Sequence, residues 1–575
     1  MTKKNNLLYK LLCFALVFAL LLSTVGCTIA PTGTTPTENL EGSTGTTAPT
    51  TQPTDPTTEP TTQPTTEPTA PTEPPVDPSV LVYELTQEDI DAFYVLLAEC
   101  EELALIGEEL ERIDEMTNSL DEMYEYMEAQ STIAMILHYC DTKDSALETR
   151  YLECTEACAD ANRAYIEMIR RLYLSDTPAK DYLFADWTEQ DIAQLLAYDG
   201  EVAEIQKRNT EIDVEYRASS SDSVRIPLYI EMVQNNNRIA QMFGYDNYYE
   251  YAYANVYGRD YTPEELQLVR QYAKVYLADT FDNALRNFNN SFYSLDEGQQ
   301  KVVTDFLYTN YYRARKDYVS AYIDVLPEST SAAMKQMLEV DSTLTVSKNA
   351  EEVAFTTMIG DRSYCYFGPG YANSATIVHE GGHYYASLYT DLGAIPLDLA
   401  EVHSQGNEWL FVHCLKDHML EKTYNALVDY RLYSNMAMIM ICLMVDEFES
   451  IVYTTDISNY TAADFDALME SVATQYFDMY YINHNLTDIN AYWREVVVQQ
   501  PVYYISYGMS AFASFDLYLT AVEDFDTAMS AYVYLCENME EEKGFLGNLT
   551  AAGLNGPFQE AFYQELAEFI QLRKK

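Results

Sequence analysis

Apolar residues recur at spacings of three and four through most of the chain after residue 79, and this period predicts amphipathic helices. The run from Met436 to Val445 is apolar on every side, so it predicts a fully buried helix. At ten residues it is too short to cross a bilayer. Threonines followed three residues later by an acid predict capped helix N-termini: Thr86 with Asp89, Thr188 with Asp191, and Thr262 with Glu265.

One segment lacks the helical period. Between Val353 and Phe367 the chain is rich in Thr, Tyr and Val, and Gly360-Asp361 supplies turn residues. This pattern predicts a short β-hairpin. No internal repeat is visible in the part of the chain after residue 79. The patterns together predict a mostly α-helical fold with one small β-hairpin.

Residues 1–26 have the pattern of an export signal. Lys3, Lys4 and Lys10 accompany an apolar stretch from Leu11 to Leu22, which is too short for a comfortable membrane span. Small residues then lead to Cys27, as in a bacterial lipoprotein signal that is cleaved before a lipid-bearing cysteine. We therefore expect an extracytoplasmic protein that meets the cell membrane only through a lipid on Cys27. Plain secretion is the alternative.

Residues 27–79 predict a tether. Thr, Pro and Glu dominate, and twelve of the 20 prolines of the chain lie between Pro31 and Pro78. Such a segment cannot bury apolar surface, and its prolines favour extended polyproline II at about 3.1 Å per residue. It is either a spacer or a disordered leader. Both interpretations place the folded part at residues 80–575.

The charge balance excludes some partners. The 575 residues include 34 Lys+Arg against 90 Asp+Glu, and 34 − 90 gives a net charge of −56. A chain this acidic repels a phosphate backbone, so we expect no nucleic-acid partner. The 48 % of hydrophobic residues provide enough apolar surface for a large core.

The cysteines do not predict a disulfide framework. After Cys27 they are irregularly spaced and mostly lie in apolar helical contexts, which is typical of buried free thiols. Cys154 and Cys158 are one helical turn apart, but no second pair accompanies them, so a metal site there is disfavoured.

The segment from Ser374 to His383 contains the pattern H-E-x-x-H. We expect a helix from Ala375 to Tyr389 with Ser374 as its N-cap. Spacing of four places His379 and His383 on one face, where both imidazoles can reach one ion. Zinc accepts such ligands and leaves a position for water, from which Glu380 could take a proton.

A third ligand is expected from the next predicted helix, around residues 398–415. Glu401 is the favoured candidate and His403 its rival. The alternative for Glu401 is a capping-box role with Asp398 as N-cap. Glu408 lies seven residues after Glu401 on the same face and is placed to orient a ligand histidine.

These motifs resemble those of the oligoendopeptidase F / thimet oligopeptidase family of zinc metallopeptidases. The similarity includes Gly382 directly before the second histidine, and Ser404 three residues after Glu401. It extends upstream to the segment 237–250 and downstream to the tyrosine-rich segment 501–507.

The resemblance implies a neurolysin-like, mostly helical ellipsoid split by a deep channel, with a small hairpin or sheet beside the zinc site. It implies one zinc ion held by His379, His383 and Glu401, and Glu380 as the catalytic base. It also implies tyrosine hydroxyls that stabilise the transition state. We expect Tyr507 first and Tyr503 second, because a helix would place these two on one face and turn Tyr504 away.

The sequence also departs from the family pattern. The histidine that family members have upstream of the tyrosines falls on Val497 here, and His484 is misplaced for that role. Gly381 stands where the family favours a bulky residue. Two adjacent glycines weaken a helix by about 2 kcal/mol relative to alanines.

Two functions are therefore weighed. The first is a zinc-dependent endopeptidase that cleaves short unstructured oligopeptides outside the cell. The second is a non-catalytic, peptide-binding surface lipoprotein. If the chain is an endopeptidase, we expect its folded part to consist of an N-terminal helical part, 80–335, and a zinc-bearing catalytic part, 336–575. We also expect a monomer.

Overall fold

The computed structural model describes residues 81–185, 187–197, 200–308, 318–345, 347–390, 393 and 395–573. The predicted signal and tether lie outside these residues. The first helices are α1 (Gln87–Ile106), α2 (Leu110–Cys140), α3 (Ser145–Leu174), α4 (Lys180–Leu183), α5 (Glu189–Ala197), α6 (Gly200–Arg217), α7 (Asp222–Met242) and α8 (Tyr248–Tyr251). There follow α9 (Pro263–Tyr272), α10 (Ala278–Tyr293), α11 (Glu297–Tyr308), α12 (Ser320–Ile323) and α13 (Glu328–Glu339).

A small sheet precedes the second half of the helices. Its strands are β1 (Ser342–Leu344), β2 (Ala354–Ile359) and β3 (Arg362–Phe367). The later helices are α14 (Ser374–Ser387), α15 (Leu397–Cys414), α16 (Glu421–Thr454), α17 (Ala462–Ala473), α18 (Met479–Ala491), α19 (Val497–Gln499), α20 (Ile505–Glu523), α21 (Phe525–Glu537), α22 (Gly544–Ala551) and α23 (Glu560–Leu572). The mostly α-helical prediction is confirmed.

Helix starts follow the predicted capping pairs. Thr86 and Asp89 form a reciprocal capping box at α1, and Thr262 and Glu265 form another at α9, where Pro263 occupies the first turn. Thr188 and Asp191 exchange the same pair of hydrogen bonds at the start of α5. Each pair satisfies backbone N–H groups that a helix N-terminus leaves without partners.

The apolar faces build two main hydrophobic cores. Helices α1, α2 and α3 enclose a smaller core that includes Phe93, Leu120 and Tyr165. A larger core runs from Ile212 to Ile570 around α16, whose predicted apolar run from Met436 to Val445 is buried except for the half-buried Met438. This core contains residues from both sides of position 335, and the predicted division there stays a prediction.

The predicted hairpin is present, and a strand joins it that the sequence did not predict. Strands β2 and β3 pair antiparallel across the Gly360-Asp361 turn, and β1 pairs parallel with β3 through Ser342 and Cys365. The order in the sheet is β1-β3-β2. The outer strand β2 reaches α14, where the Thr356 hydroxyl contacts Glu380, so the sheet lies beside the H-E-x-x-H helix as expected.

The cysteines of the described residues are free thiols, either buried or half-buried, as predicted. Cys154 and Cys158 are both buried in the smaller core. Within the described ranges, no helix combines the length and the apolar character that a membrane crossing needs.

Candidate active site

Helix α14 carries the H-E-x-x-H motif. Its N-cap is Asn373, whose side chain accepts the Thr376 amide at 3.0 Å, and the helix runs from Ser374 to Ser387. The predicted cap at Ser374 and the predicted end at Tyr389 are therefore wrong. Asn373 is the N-cap because it is the residue with extended backbone directly before the first turn, whereas Ser374 is already in the helix.

The two glycines of the motif lie against neighbouring helices, and Gly382 is the one that faces backbone atoms. A Cβ on Gly382 would overlap the backbone carbonyl of His403 on α15, and a Cβ on Gly381 would overlap the sulfur of Met334 on α13. Gly382 therefore permits a close approach of α14 and α15. A bulkier residue in place of Gly381 would require the end of the Met334 side chain to move.

This close approach brings three potential ligand side chains together. Glu401 Oε2 lies 3.8 Å from His379 Nε2 and 3.8 Å from His383 Nε2. A ligand atom from each of the three lies within 4.8 Å of those of the other two. Glu401 is only 4 % exposed, and the Ser404 hydroxyl donates to its Oε2 at 3.0 Å.

Glu401 is not a capping residue. Helix α15 begins at Leu397 after Pro396, and Asp398 is already inside it. The carboxylate of Asp398 instead accepts the Tyr261 hydroxyl at 2.6 Å. The alternative interpretation, a capping box between Asp398 and Glu401, is therefore wrong.

His403 faces away from the cluster. Its Nε2 lies 3.0 Å from the carbonyl oxygen of Leu535, and the residue is 1 % exposed. Burial lowers the pKa of His403 to about 4, so the ring is neutral. It is outside the group of side chains that could share an ion in the described part of the chain.

Glu408 contacts the first histidine, as its spacing predicted. Its Oε1 lies 2.8 Å from His379 Nδ1, and its Oε2 lies 2.6 Å from Arg431 Nη2 on α16. Burial acts to raise the pKa of Glu408, but the charge of Arg431 and the hydrogen bond with His379 outweigh it and hold the pKa below its usual range. The carboxylate is thus ionised and accepts the Nδ1 proton of His379.

The donor set fits a zinc ion. With Nδ1 of His379 donating to Glu408, its Nε2 carries the lone pair that a metal needs. Burial also holds the pKa of His383 well below its usual range, which keeps that ring neutral. A tetrahedral zinc with ligands at about 2.0–2.1 Å separates its ligand atoms by about 3.4 Å, close to the 3.8 Å found here.

Glu380 lies on α14 directly after His379 and is 2 % exposed. Its Oε2 accepts the Thr356 hydroxyl of β2 at 2.8 Å. Burial raises the pKa of the Glu380 carboxyl to about 7, although His379 and the Thr356 hydrogen bond both act to lower it. A carboxyl group with this pKa can both take and return a proton near neutral pH.

The predicted tyrosines lie where α20 begins. The rings of Tyr503 and Tyr507 meet edge to face with centroids 5.3 Å apart. Helix α20 packs beside α15, and its Ser510 hydroxyl donates to the Asp398 carbonyl. However, α20 begins only at Ile505, so the predicted shared helix face of Tyr503 and Tyr507 is wrong. Tyr503 belongs to the turn before the helix.

Solved structures share this arrangement of helices. PZ peptidase A in complex with an inhibitor aligns with a TM-score of 0.64 at 16 % identity, covering 86 % of this chain and 99 % of that one. A 3.1 Å X-ray structure assigned to oligoendopeptidase F gives 0.63 at 16 % identity over 86 % and 98 % of the two chains. The fold of this chain is that of the oligoendopeptidases.

A third example is a structure assigned to oligoendopeptidase F of Bacillus anthracis str. Ames. It aligns with a TM-score of 0.62 at 15 % identity, covering 85 % of this chain and 97 % of that one. The sequence itself matches no family model and no curated protein. The similarity to the oligoendopeptidases is therefore one of three-dimensional structure, and it agrees with the resemblance inferred from the motifs.

Within this oligoendopeptidase fold, Val497 occupies the position at which the family has a histidine upstream of the tyrosines, and the nearby His484 lies at the surface. Val497 is buried in the core at 1 % exposure. His484 is exposed on α18, where its ring lies 4.1 Å from that of Tyr480 and its Nδ1 contacts the Tyr480 carbonyl. His484 therefore makes these contacts at the surface, with a residue of its own helix.

Sequence reasoning missed three side chains around the site: Thr356, Arg431 and Arg259. Thr356 could have been suspected, because the hairpin was predicted beside the site. Arg431 and Arg259 are far in sequence from the motifs they contact, and no local pattern marks them. Both are brought in only by the tertiary packing of this oligoendopeptidase fold.

Proposed function

We propose that this protein is a zinc-dependent endopeptidase that cleaves short, unstructured oligopeptides. The observation that carries the proposal is the cluster of His379, His383 and Glu401. The carboxyl of Glu380 belongs to the same helix as the two histidines. The oligoendopeptidase fold supports the proposal.

His379, His383 and Glu401 would hold the ion. When bound, zinc would act as a Lewis acid on the scissile carbonyl and lower the pKa of water. The protein orients the ligands from behind: Glu408 fixes the tautomer of His379, and the Ser404 hydroxyl fixes one oxygen of Glu401. Such supporting hydrogen bonds pre-organise a metal site.

Glu380 is the proposed general base and acid. Its carboxylate takes a proton from the attacking water as the water oxygen bonds to the peptide carbon. The same proton then passes to the leaving nitrogen as the C–N bond breaks. The Thr356 hydroxyl holds Oε2 of Glu380, so the carboxylate is oriented for both transfers.

Tyr507 and Tyr503 are the proposed donors to the carbonyl oxygen. Negative charge develops on that oxygen as water attacks, and a phenol O–H that already points there stabilises it without reorganisation. Tyr507 is 8 % exposed at the start of a rigid helix, whereas Tyr503 lies in the turn before it. We therefore keep Tyr507 as the first candidate.

We propose an extracytoplasmic location, with a lipid on Cys27 or by secretion, on the basis of residues 1–27 alone. Incorporation of labelled palmitate that is lost in Cys27→Ala would support the anchor. Unlabelled protein released into the medium would favour secretion.

The test of the proposed function combines a metal assay with a quenched-fluorescent peptide library. Purified protein is expected to contain one zinc per chain, to cleave internal bonds of short peptides and to lose this activity on chelation. A folded protein substrate should remain intact. Protein that retains zinc but cleaves no peptide would reject the endopeptidase and favour the peptide-binding alternative.

A further inference from the structure

The turn that leads into α20 contains an unusual backbone conformation. Val502 has φ of 62°, in the left-handed region, and it is fully buried. A β-branched residue avoids this region because its side chain collides with the backbone, whereas glycine enters it freely. Such conformations persist only where the surroundings enforce them, and they concentrate at functional sites.

Two buried side chains bind the backbone on both sides of Val502. Its N–H donates to Oε1 of Glu449 at 2.7 Å, and its carbonyl oxygen accepts Nη2 of Arg259 at 2.8 Å. Glu449 and the side chain of Arg259 are each 1 % exposed. The preceding carbonyl, that of Pro501, accepts the Tyr257 hydroxyl at 2.6 Å. The turn is therefore held by three hydrogen bonds at two successive peptide groups.

Arg259 also connects the turn to α20 and α15. The nitrogen that binds Val502 also lies 2.9 Å from the Ser506 hydroxyl, directly before Tyr507. Nε of Arg259 lies 3.8 Å from Oδ1 of Asp398, and Asp398 is one helical turn before Glu401 on α15. The guanidinium is itself enclosed by aromatic rings, with its carbon 4.5 Å from the ring centre of Tyr257.

We propose that Glu449 and Arg259 are positioning residues: they hold Val502 in the left-handed conformation and thereby fix Tyr503 and Tyr507 relative to the helix that carries Glu401. This inference rests on the proposed function, because it assigns the tyrosines to the reaction. A planar guanidinium suits the role, since Nη2 donates to Val502 and Ser506 while Nε lies beside Asp398.

The buried Val502 side chain explains why glycine does not stand there. The isopropyl group fills the core behind the turn, so the turn cannot shift without opening a cavity. The hydrogen bond that Val502 donates to Glu449 and the one that it accepts from Arg259 offset the steric cost. The buried side chain and these hydrogen bonds together fix the positions of the two tyrosines. A group that donates to a developing charge must be fixed in this way before the reaction.

The test compares variants of Glu449 in the zinc-loaded full chain. Glu449→Gln keeps an acceptor for the Val502 amide, and burial already raises the pKa of Glu449 well above its usual range, so a neutral side chain is a close mimic. Glu449→Leu keeps the volume and removes the acceptor. Asp516→Leu is the matched control, because Asp516 is also buried and accepts a backbone amide, that of Asn555, at 2.8 Å.

Hydrogen exchange of a peptide covering 500–507 measures how firmly the turn is held. Steady-state kinetics measure the effect of the turn on catalysis. In Glu449→Leu we expect the Val502 amide to exchange at least about tenfold faster and kcat to fall by about tenfold or more. KM and zinc content should change little. Glu449→Gln should stay within about threefold of the wild type in both measurements, and Asp516→Leu should lose stability without a change in kcat.

If Glu449→Leu does not fold, Arg259→Lys is the milder variant, because one ammonium cannot bind Val502 and Ser506 and also lie beside Asp398, as Nη2 and Nε of the guanidinium do. It should lower kcat by about fivefold or more with zinc retained. Unchanged exchange in 500–507, or unchanged kcat in the folded variant, overturns the inference. A wild-type protein that cleaves no peptide overturns the proposed function instead, while the exchange data still decide whether Glu449 and Arg259 hold the turn.

Discussion

Glu408 Oε1 lies 2.8 Å from His379 Nδ1, in a buried contact between α15 and α14. The second oxygen of this carboxylate is held by Arg431, whose guanidinium lies 5.7 Å from the ring centre of Trp409. The orientation of His379 is thus set by two polar side chains, Glu408 and Arg431, from two other helices. A ligand histidine with a fixed tautomer binds a metal more tightly than one that must reorient.

Glu408→Gln should lower zinc affinity by about tenfold to a hundredfold. The amide can offer its oxygen to only one of its two partners and loses the charge that pairs with Arg431. Competition with a chelator of known affinity measures the effect. Glu447→Gln is a suitable control, because Glu447 is a half-buried carboxylate paired with Lys274 on another part of the surface. Equal zinc affinity in Glu408→Gln and the wild type would contradict the prediction.

The Glu408 contact was predictable because spacing alone places it. Residues seven apart on a helix share a face, so Glu401 and Glu408 had to point the same way. The partner on the other side was not predictable. Arg431 is 23 residues further along the chain, where 431 − 408 gives the separation, and only the packing of α16 against α15 brings it to Glu408.

The choice between Glu401 and His403 can be settled by metal content. Glu401→Ala should lose bound zinc, because it removes one of three clustered ligand atoms. His403→Ala should retain zinc, since that ring faces the Leu535 carbonyl. It should instead lower the free energy of unfolding, because it leaves a cavity between α15 and α21. Full zinc affinity in Glu401→Ala would return His403 to the list of candidates.

Glu380 should be required for turnover but not for metal binding. Glu380→Gln keeps the shape of the side chain and its acceptor for Thr356, but it cannot take a proton. We expect zinc content near that of the wild type and a loss of about a hundredfold or more in kcat. Zinc analysis and kcat are measured on the same preparation. Activity within about threefold of the wild type would remove Glu380 from the proposed role.

Two local differences between sequence and structure have a common physical cause. The sequence predicted that Tyr503 shares a helix face with Tyr507, and it offered a cap at Asp398 as the alternative role for Glu401. The left-handed Val502 breaks the first helix, and Pro396 sets the start of the second. In both places tertiary hydrogen bonds, from the Val502 amide to Glu449 and from the Tyr261 hydroxyl to Asp398, override the local propensity. Neither is visible in a short window of sequence.

The N-terminal helices offer a test by pH. Burial raises the pKa of Asp121 to about 7, although the hydrogen bond from the Tyr165 hydroxyl acts to lower it. A raised folded-state pKa stabilises the protein at low pH, and this contribution is lost as the pH rises through about 7. From about pH 5 to about pH 8, the wild type should therefore lose about 1–2 kcal/mol of unfolding free energy relative to Asp121→Asn, after allowance for partial exposure. Parallel curves in urea at the two pH values would contradict the assignment.

Tyr507→Phe is the most specific test of how the oxyanion is stabilised. The substitution removes one hydroxyl and leaves the ring that packs against Tyr503 and Tyr504. If Tyr507 donates to the carbonyl oxygen only as charge develops, kcat should fall by roughly tenfold to a thousandfold while KM and zinc content change little. The effect should be large because Val497 is a buried apolar residue and His484 is occupied at the surface, so neither supplies a second donor. Tyr503→Phe, measured in parallel, should have the smaller effect, since Tyr507 is the first candidate and Tyr503, which lies before the helix, is the second. An unchanged kcat in Tyr507→Phe with a reduced kcat in Tyr503→Phe would transfer the role to Tyr503, and an unchanged kcat in both would leave the ion and the backbone as the remaining sources of stabilisation.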